Sequence, residues 1–266
     1  MNANTVQRQV NLRNIALPAS HGGWGFLLEP ILLGMLVAPS MTGFWLGVAA
    51  LGAFLSQQPL KLALGDLRKH RRFPRTVWAK RFSLLFCGTA LVAFALAIIS
   101  AQYPFWLPLL VAAPLAMVQL YYDAQNRGRE FMPEFFGAAA LGSVATAIAL
   151  AGGWMMAFAL TLWAILFTRG LVSIVYVRAK LRLERGQEIA AKPVWAIHGL
   201  GVLAIAALAY VGLAPWLSVL ALLALLVRAV TGLLPTRKPV VPKTVGFQEM
   251  GYGLLTVMLT ALGYGF

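Results

Sequence analysis

Apolar stretches of about 20 residues, each long enough to cross a bilayer core as a helix, recur along the whole of this chain. They cover residues 24–38, 43–64, 81–100, 104–122, 132–151, 154–177, 194–211, 214–234 and 247–264. In lipid a backbone must satisfy its own hydrogen bonds, so such segments become helices. The 266 residues are 60% hydrophobic and 11% charged, against roughly 25% charged in a soluble domain. The expectation is an all-α, polytopic transmembrane bundle of about nine helices. It forms a single integral membrane domain over 1–266, with 1–22 as a cytoplasmic N-terminal segment. The polar start MNANTVQRQVNLRN leads into no small-residue cleavage site, so the first apolar run is expected to be a retained helix.

The connections alternate in character. The loops GDLRKHRRFPRTVWAK, DAQNRGREF, RAKLRLERGQEIAAKP and PTRKPVVPKTVG are strongly basic. The connections around PSMTG, SAQYP, AGGW and VGLAP carry no Asp, Glu, Lys or Arg. All 22 Lys and Arg thus fall on one side or in the adjoining half of the helices, which accounts for the net charge of +14. The positive-inside rule then places the N-terminus in the cytoplasm and the C-terminus outside, in a bacterial cytoplasmic (inner) membrane. The run RKHRRFPR lies between membrane helices, so anionic lipid is the expected partner and nucleic acid is not. The tryptophans near the segment ends form interfacial belts. The one cysteine, Cys87, lies in an apolar run, which excludes an internal disulfide and a cysteine-rich metal site.

Charged residues inside the apolar segments are the candidates for function. Glu29, Glu134, His198 and Glu249 each sit a short way into a segment that enters from the basic side. Lys61, Gln119, Arg169 and Arg228 stand seven to nine residues before the loop charges of segments that leave toward it. At 1.5 Å per residue they lie about 10–14 Å deeper than those loops. An ionised group at a helix centre costs roughly 2.5–3.5 kcal/mol on the mild insertion scales, so these side chains must pair or line a polar cavity. Pro30 and Pro133 free helix carbonyls, which is tolerated where backbone lines a cavity. The expected cavity opens to the cytoplasm and draws on His21, Glu29, Gln58, Lys61, Asp66, Gln119, Asp123, Asn126, Arg127, Glu134, Arg169, His198, Arg228 and Glu249. Interhelical ion pairs without a ligand are the alternative. The series Asp123, Arg127, Glu130, Glu134 has the spacing of a salt-bridged helical face.

Four stretches, HGGWGFLLEPILLG, QQPLKLALGDLRKHRR, QLYYDAQNRGREFMPE and VGFQEMGYG, resemble the YwiC-like family of bacterial membrane proteins. The layout is also similar to the UbiA superfamily of intramembrane prenyltransferases. That resemblance implies nine helices, a UbiA-like bundle and a site on the basic-loop side. UbiA enzymes hold Mg²⁺ and a prenyl diphosphate with an NDxxDxxxD-like motif after helix 2 and a DxxxD-like motif after helix 6. Here the first place has one acid, Asp66, and the second has none before Glu184. The two metal-binding clusters therefore do not carry over. The candidates for a rearranged metal site are Glu29, Asp66 and Asp123.

Two functions stay open. The first is a prenyltransferase-like enzyme acting on a lipid diphosphate. Lys61, Arg169 and Arg228 would neutralise the leaving diphosphate, Asn126 and Asp123 would assist, and Mg²⁺ would follow as the cofactor. The second is a transporter or binding protein for an anionic or amphipathic solute, for which Gly- and Pro-interrupted helices near a polar site are the usual signature. Beside these two stands a noncatalytic role, such as binding a quinone or haem precursor or assisting assembly; an isoprenoid or other amphipathic molecule is the expected ligand.

Overall fold

The structure, a computed structural model, describes residues 12–17, 21–68, 73–125, 127–237 and 239–266. Among them are ten helices and no strand: α1 Leu12–Ala16, α2 His21–Val37, α3 Met41–Arg68, α4 Pro74–Ser100, α5 Trp106–Ala124, α6 Phe131–Ala151, α7 Met156–Glu184, α8 Ala191–Tyr210, α9 Trp216–Leu233 and α10 Pro242–Gly263. Each apolar segment of the sequence falls on one of α2 to α10. The six helices α4 to α9 are long and apolar enough to cross a membrane. α2 is short, at 17 residues, and contains Pro30. α3 and α10 have 28 and 22 residues but carry more polar side chains. The chain is therefore a multi-pass helical membrane protein.

Several helices run further than their apolar cores. α7 continues through RAKLRLE to Glu184, two turns beyond the apolar stretch. α4 begins at Pro74, where a proline in the first turn loses no helical hydrogen bond. The Phe73 amide donates to Thr76 Oγ1 at 3.1 Å and closes that end. Gly153 and Gly212, at φ of 86° and 77°, take the left-handed conformation just after α6 and α8, which the next helix needs to reverse direction.

α6 lies at the centre, touching α2, α3, α5 and α7. Its buried face is small: Gly137, Ala139, Gly142, Ser143, Ala145, Ala147 and Ala149. Small residues let membrane helices approach closely, because lipid supplies no hydrophobic force to drive them together. Gly34 of α2 rests on Ile148, and Trp163 of α7 donates from Nε1 to the Ala139 carbonyl at 2.7 Å. A dry core of Leu33, Leu46, Ile148, Leu162, Val257 and Ala261 fills the end away from the basic loops. A second apolar cluster, Ile165, Ile205, Leu222 and Leu225, joins α7, α8 and α9.

α1 packs on α3 and α4, with Ile15 buried against Ala63 and Ala79.

Candidate functional site

Two buried arginines organise the polar interior. Arg169, midway along α7, places Nη2 2.8 Å from Glu29 Oε1 of α2, with the two side chains 2% and 7% exposed. The same Nη2 donates to the Glu249 carbonyl of α10 at 2.8 Å. The guanidinium also lies 5.4 Å from the centre of the Phe26 ring. Glu29 and Phe26 share a face of α2 just before Pro30, whose ring interrupts the helical hydrogen bonding there. Across from them Gly253 leaves the gap that the pair fills. A Cβ at that position would overlap the Glu29 carboxylate and Arg169 Nη2.

Arg228 of α9 pairs through Nη1 with Glu249 Oε1. Its guanidinium lies against two aromatic rings, 4.2 Å from the Tyr176 centroid and 4.9 Å from that of Tyr252. Cation–π contacts of this kind are worth about 2 kcal/mol when desolvated. His198 of α8 is buried beside the same Tyr176, with ring centroids 6.5 Å apart. Its Nδ1 lies 2.8 Å from the Val194 carbonyl one turn earlier.

Several polar atoms of this cluster are buried with no hydrogen-bond partner in the protein: Arg169 Nε, Arg228 Nε and Nη2, Glu249 Oε2, His198 Nε2 and Ser173 Oγ. Glu29 Oε1 joins them, close to Arg169 but not aligned for a hydrogen bond. Unpartnered buried polar atoms are few in native proteins, and each costs roughly 1–3 kcal/mol. Here they gather on α2, α7, α8, α9 and α10.

Toward the basic end, Lys180 of α7 donates to the Gly232 carbonyl at 2.9 Å and pairs with Glu184 at 2.9 Å. Glu184 also meets Arg237 at 3.4 Å and accepts from the Val240 amide at 3.3 Å. This network ties the α9–α10 connection to the end of α7.

Glu29, Arg169, His198, Arg228 and Glu249 are therefore brought together, and Gln58, Asp66, Arg127 and Glu134 have partners elsewhere. Asp66 accepts from Arg75 Nη2 at 2.8 Å and from Thr76 Oγ1 at 2.7 Å, joining α3 to α4. Gln58 Nε2 donates to the Asn14 carbonyl at 3.4 Å. Lys61 acts on Asp123 as an attracting charge, without an ion pair to it among the described contacts. Gln119 fills the space left by Gly137. Glu134 meets Arg178 Nη1 at 2.7 Å. Arg127 pairs with Glu130 in the loop at 2.6 Å, and that hydrogen bond holds the Glu130 carboxyl below its ordinary range. The His21 side chain and Asn126 lie outside the described residues.

Among the described residues no three His, Cys, Asp or Glu side chains converge to hold a metal ion. Glu29 pairs with Arg169 and Asp66 with Arg75 instead. Two grooves, of about 430 and 600 Å³, lie away from the charged cluster. The first is lined by apolar residues of α3 and α4, and the second by the α4–α5 turn around Tyr103 and Trp106.

Tyr176, Tyr252, Phe26, Gly253 and Lys180 were missed as site residues from the sequence. Tyr176 follows Arg169 by two helical turns, and Tyr252 follows Glu249 by one, so helical phase places each on its partner's face.

The family model described as YwiC-like protein matches residues 17–149, half of the chain. The chain belongs to the YwiC-like family. No curated protein and no solved structure matches it. In this YwiC-like chain the matched part contains Glu29, Lys61, Asp66, Asp123 and Glu134. Arg169, His198, Arg228 and Glu249 follow in the second half, so the buried cluster combines residues from both.

Proposed function

We propose that this YwiC-like protein is a membrane carrier or binding protein for an anionic or amphipathic solute, held inside the bundle at Arg169 and Arg228. The observation that carries this reading is the set of unused donors on two buried arginines. Replacing a buried ion pair by apolar residues is often neutral or stabilising. Stability alone is therefore a weak reason for two such pairs in a bundle of this kind. A ligand oxyanion would supply the acceptors that the guanidinium groups lack, and charge-assisted bonds of that type are among the strong ones. Pro30 and Gly253 at the meeting of α2, α7 and α10 give the bundle a place to rearrange as the anion replaces a carboxylate partner.

The same reading takes α2 to α10 as nine crossings of a bacterial inner membrane, with the basic loops and N-terminus cytoplasmic and the C-terminus outside. The bundle forms one domain, with lipids as its surroundings. A prenyltransferase-like reaction with a UbiA-like layout is less well supported. It would need Lys61, Arg169 and Arg228 on one diphosphate and carboxylates together on Mg²⁺. Arg169 and Arg228 already pair with acids, and the three metal candidates do not converge among the described residues.

Native mass spectrometry of the purified protein tests the reading, together with melting in detergent. The wild type should retain an anion, or melt higher with inorganic phosphate, diphosphate or palmitate, and Arg228→Gln should do neither. A wild type that carries no anion and responds to none of the three overturns it.

A further inference from the structure

The unpartnered atoms near Arg228 are of two kinds. Nε and Nη2 are donors, and they form the side-on edge of the guanidinium, the geometry that grips two oxygens of one oxyanion. Nη1, on the other edge, is taken by Glu249. Arg228 is buried, 6% exposed, and its guanidinium lies against the Tyr176 and Tyr252 rings. The free edge is therefore the direction left for a ligand.

The other unpartnered atoms are acceptors. The Val194 carbonyl can only accept, so His198 Nδ1 carries the hydrogen of that contact. In the neutral ring Nε2 is then a lone pair. Glu249 Oε2 is a carboxylate oxygen without a donor. His198 and Arg228 both lie against Tyr176, and Arg228 pairs with Glu249, so the three gather around one ring. A matching ligand must accept two hydrogen bonds and also donate one. An ionised carboxylate only accepts. Sulfate has lost both protons near neutral pH and only accepts as well. A phosphate group with one remaining proton does both: a phosphomonoester, with a second pKa of about 6, keeps part of itself in that form, and free phosphate near neutral pH always retains a proton.

We infer that the cluster binds a singly protonated phosphate group, as free phosphate or as the phosphomonoester headgroup of a lipid, with two oxygens on the Arg228 edge and its hydroxyl donated to His198 Nε2. This inference rests on the anion-binding reading above and sharpens it to one class of anion.

The test uses the purified full-length protein in detergent, with binding measured by calorimetry and melting. The probes are inorganic phosphate, sulfate, palmitate and dioleoyl phosphatidic acid. Phosphate should bind at least about tenfold tighter than sulfate, the value of one hydrogen bond to a charged group. His198→Phe removes an acceptor without unpairing a charge and should cut that preference about tenfold. Arg228→Lys keeps the charge but loses the fork, and should weaken phosphate about tenfold or more. Should Arg228→Lys fail to fold, the wild-type ratio and His198→Phe decide alone. Tight binding of phosphatidic acid with weak binding of inorganic phosphate supports the lipid source, and the converse supports the free anion. Equal binding of phosphate and sulfate overturns the phosphate assignment and leaves the anion reading standing, as does unchanged selectivity in His198→Phe. Palmitate binding without phosphate binding does the same. No binding of any probe to the wild type overturns both.

Discussion

Arg169 and Glu29, on helices that belong to different halves of the chain, meet at 2.8 Å with both side chains buried. Removing one member of such a pair leaves an uncompensated buried charge, which costs about 3–5 kcal/mol. Arg169→Leu and Glu29→Leu should each lower stability by that order. The double variant should regain much of the loss, because no charge is then left unpaired. Unfolding of the purified variants in mixed micelles gives the coupling, and additive losses would show that the two side chains do not depend on each other.

Gly253→Ala and Gly199→Ala form a matched pair of helical glycines. Alanine normally favours a helix by about 1 kcal/mol over glycine. At Gly199 of α8 nothing lies within 4 Å of an added Cβ, so that change should raise the melting temperature or leave it unaltered. At Gly253 the same Cβ runs into the Glu29–Arg169 pair, and overpacking of this kind costs about 1–3 kcal/mol. Opposite signs for the two variants are expected. A stabilised Gly253→Ala would show that the pair relaxes freely.

Asp66 is buried, while its partner Arg75 has a side chain 48% exposed. A pair screened by solvent is worth about 0–1 kcal/mol, so Arg75→Ala should matter little. Thr76 is buried and links the Phe73 amide to Asp66. Thr76→Val leaves the buried carboxylate short of a donor and should cost about 1–3 kcal/mol. Melting of the two variants side by side checks the order, and a larger loss in Arg75→Ala would reverse it.

Sidedness follows from the placement of the basic loops. A reporter fused after Phe266 should behave as external to the cytoplasm, and one inserted near Gly186, in the turn after α7, as cytoplasmic. A cytoplasmic signal from the first fusion would invert the map and change which side has access to Arg228.

The helices and their phase were legible because hydrophobic length is a local property of a sequence. Every apolar stretch became one helix, and the depth of Arg169, Arg228, His198 and Glu249 followed from counting residues along each axis. Helix ends were less legible. RAKLRLE of α7 is charged enough to look like a loop, yet both its turns stay helical because Lys180 and Glu184 find partners on α9 and beyond it.

Charge in an apolar segment told from sequence alone that Glu29 and Arg169 needed partners, since a lone ion in lipid is too costly. It did not say which partners. Asp66 and Arg75 are close in the chain and meet across the α3–α4 turn, whereas Glu29 and Arg169 meet because α2 packs on both α7 and α10. Such packing depends on small faces, such as that of α6, and on the gap at Gly253, and neither marks its neighbour in the sequence. The expected ring of polar residues therefore divides in the tertiary structure into one buried cluster and several separate pairs. Local hydropathy decided which side chains could not face lipid, and helix packing decided which of them share a site.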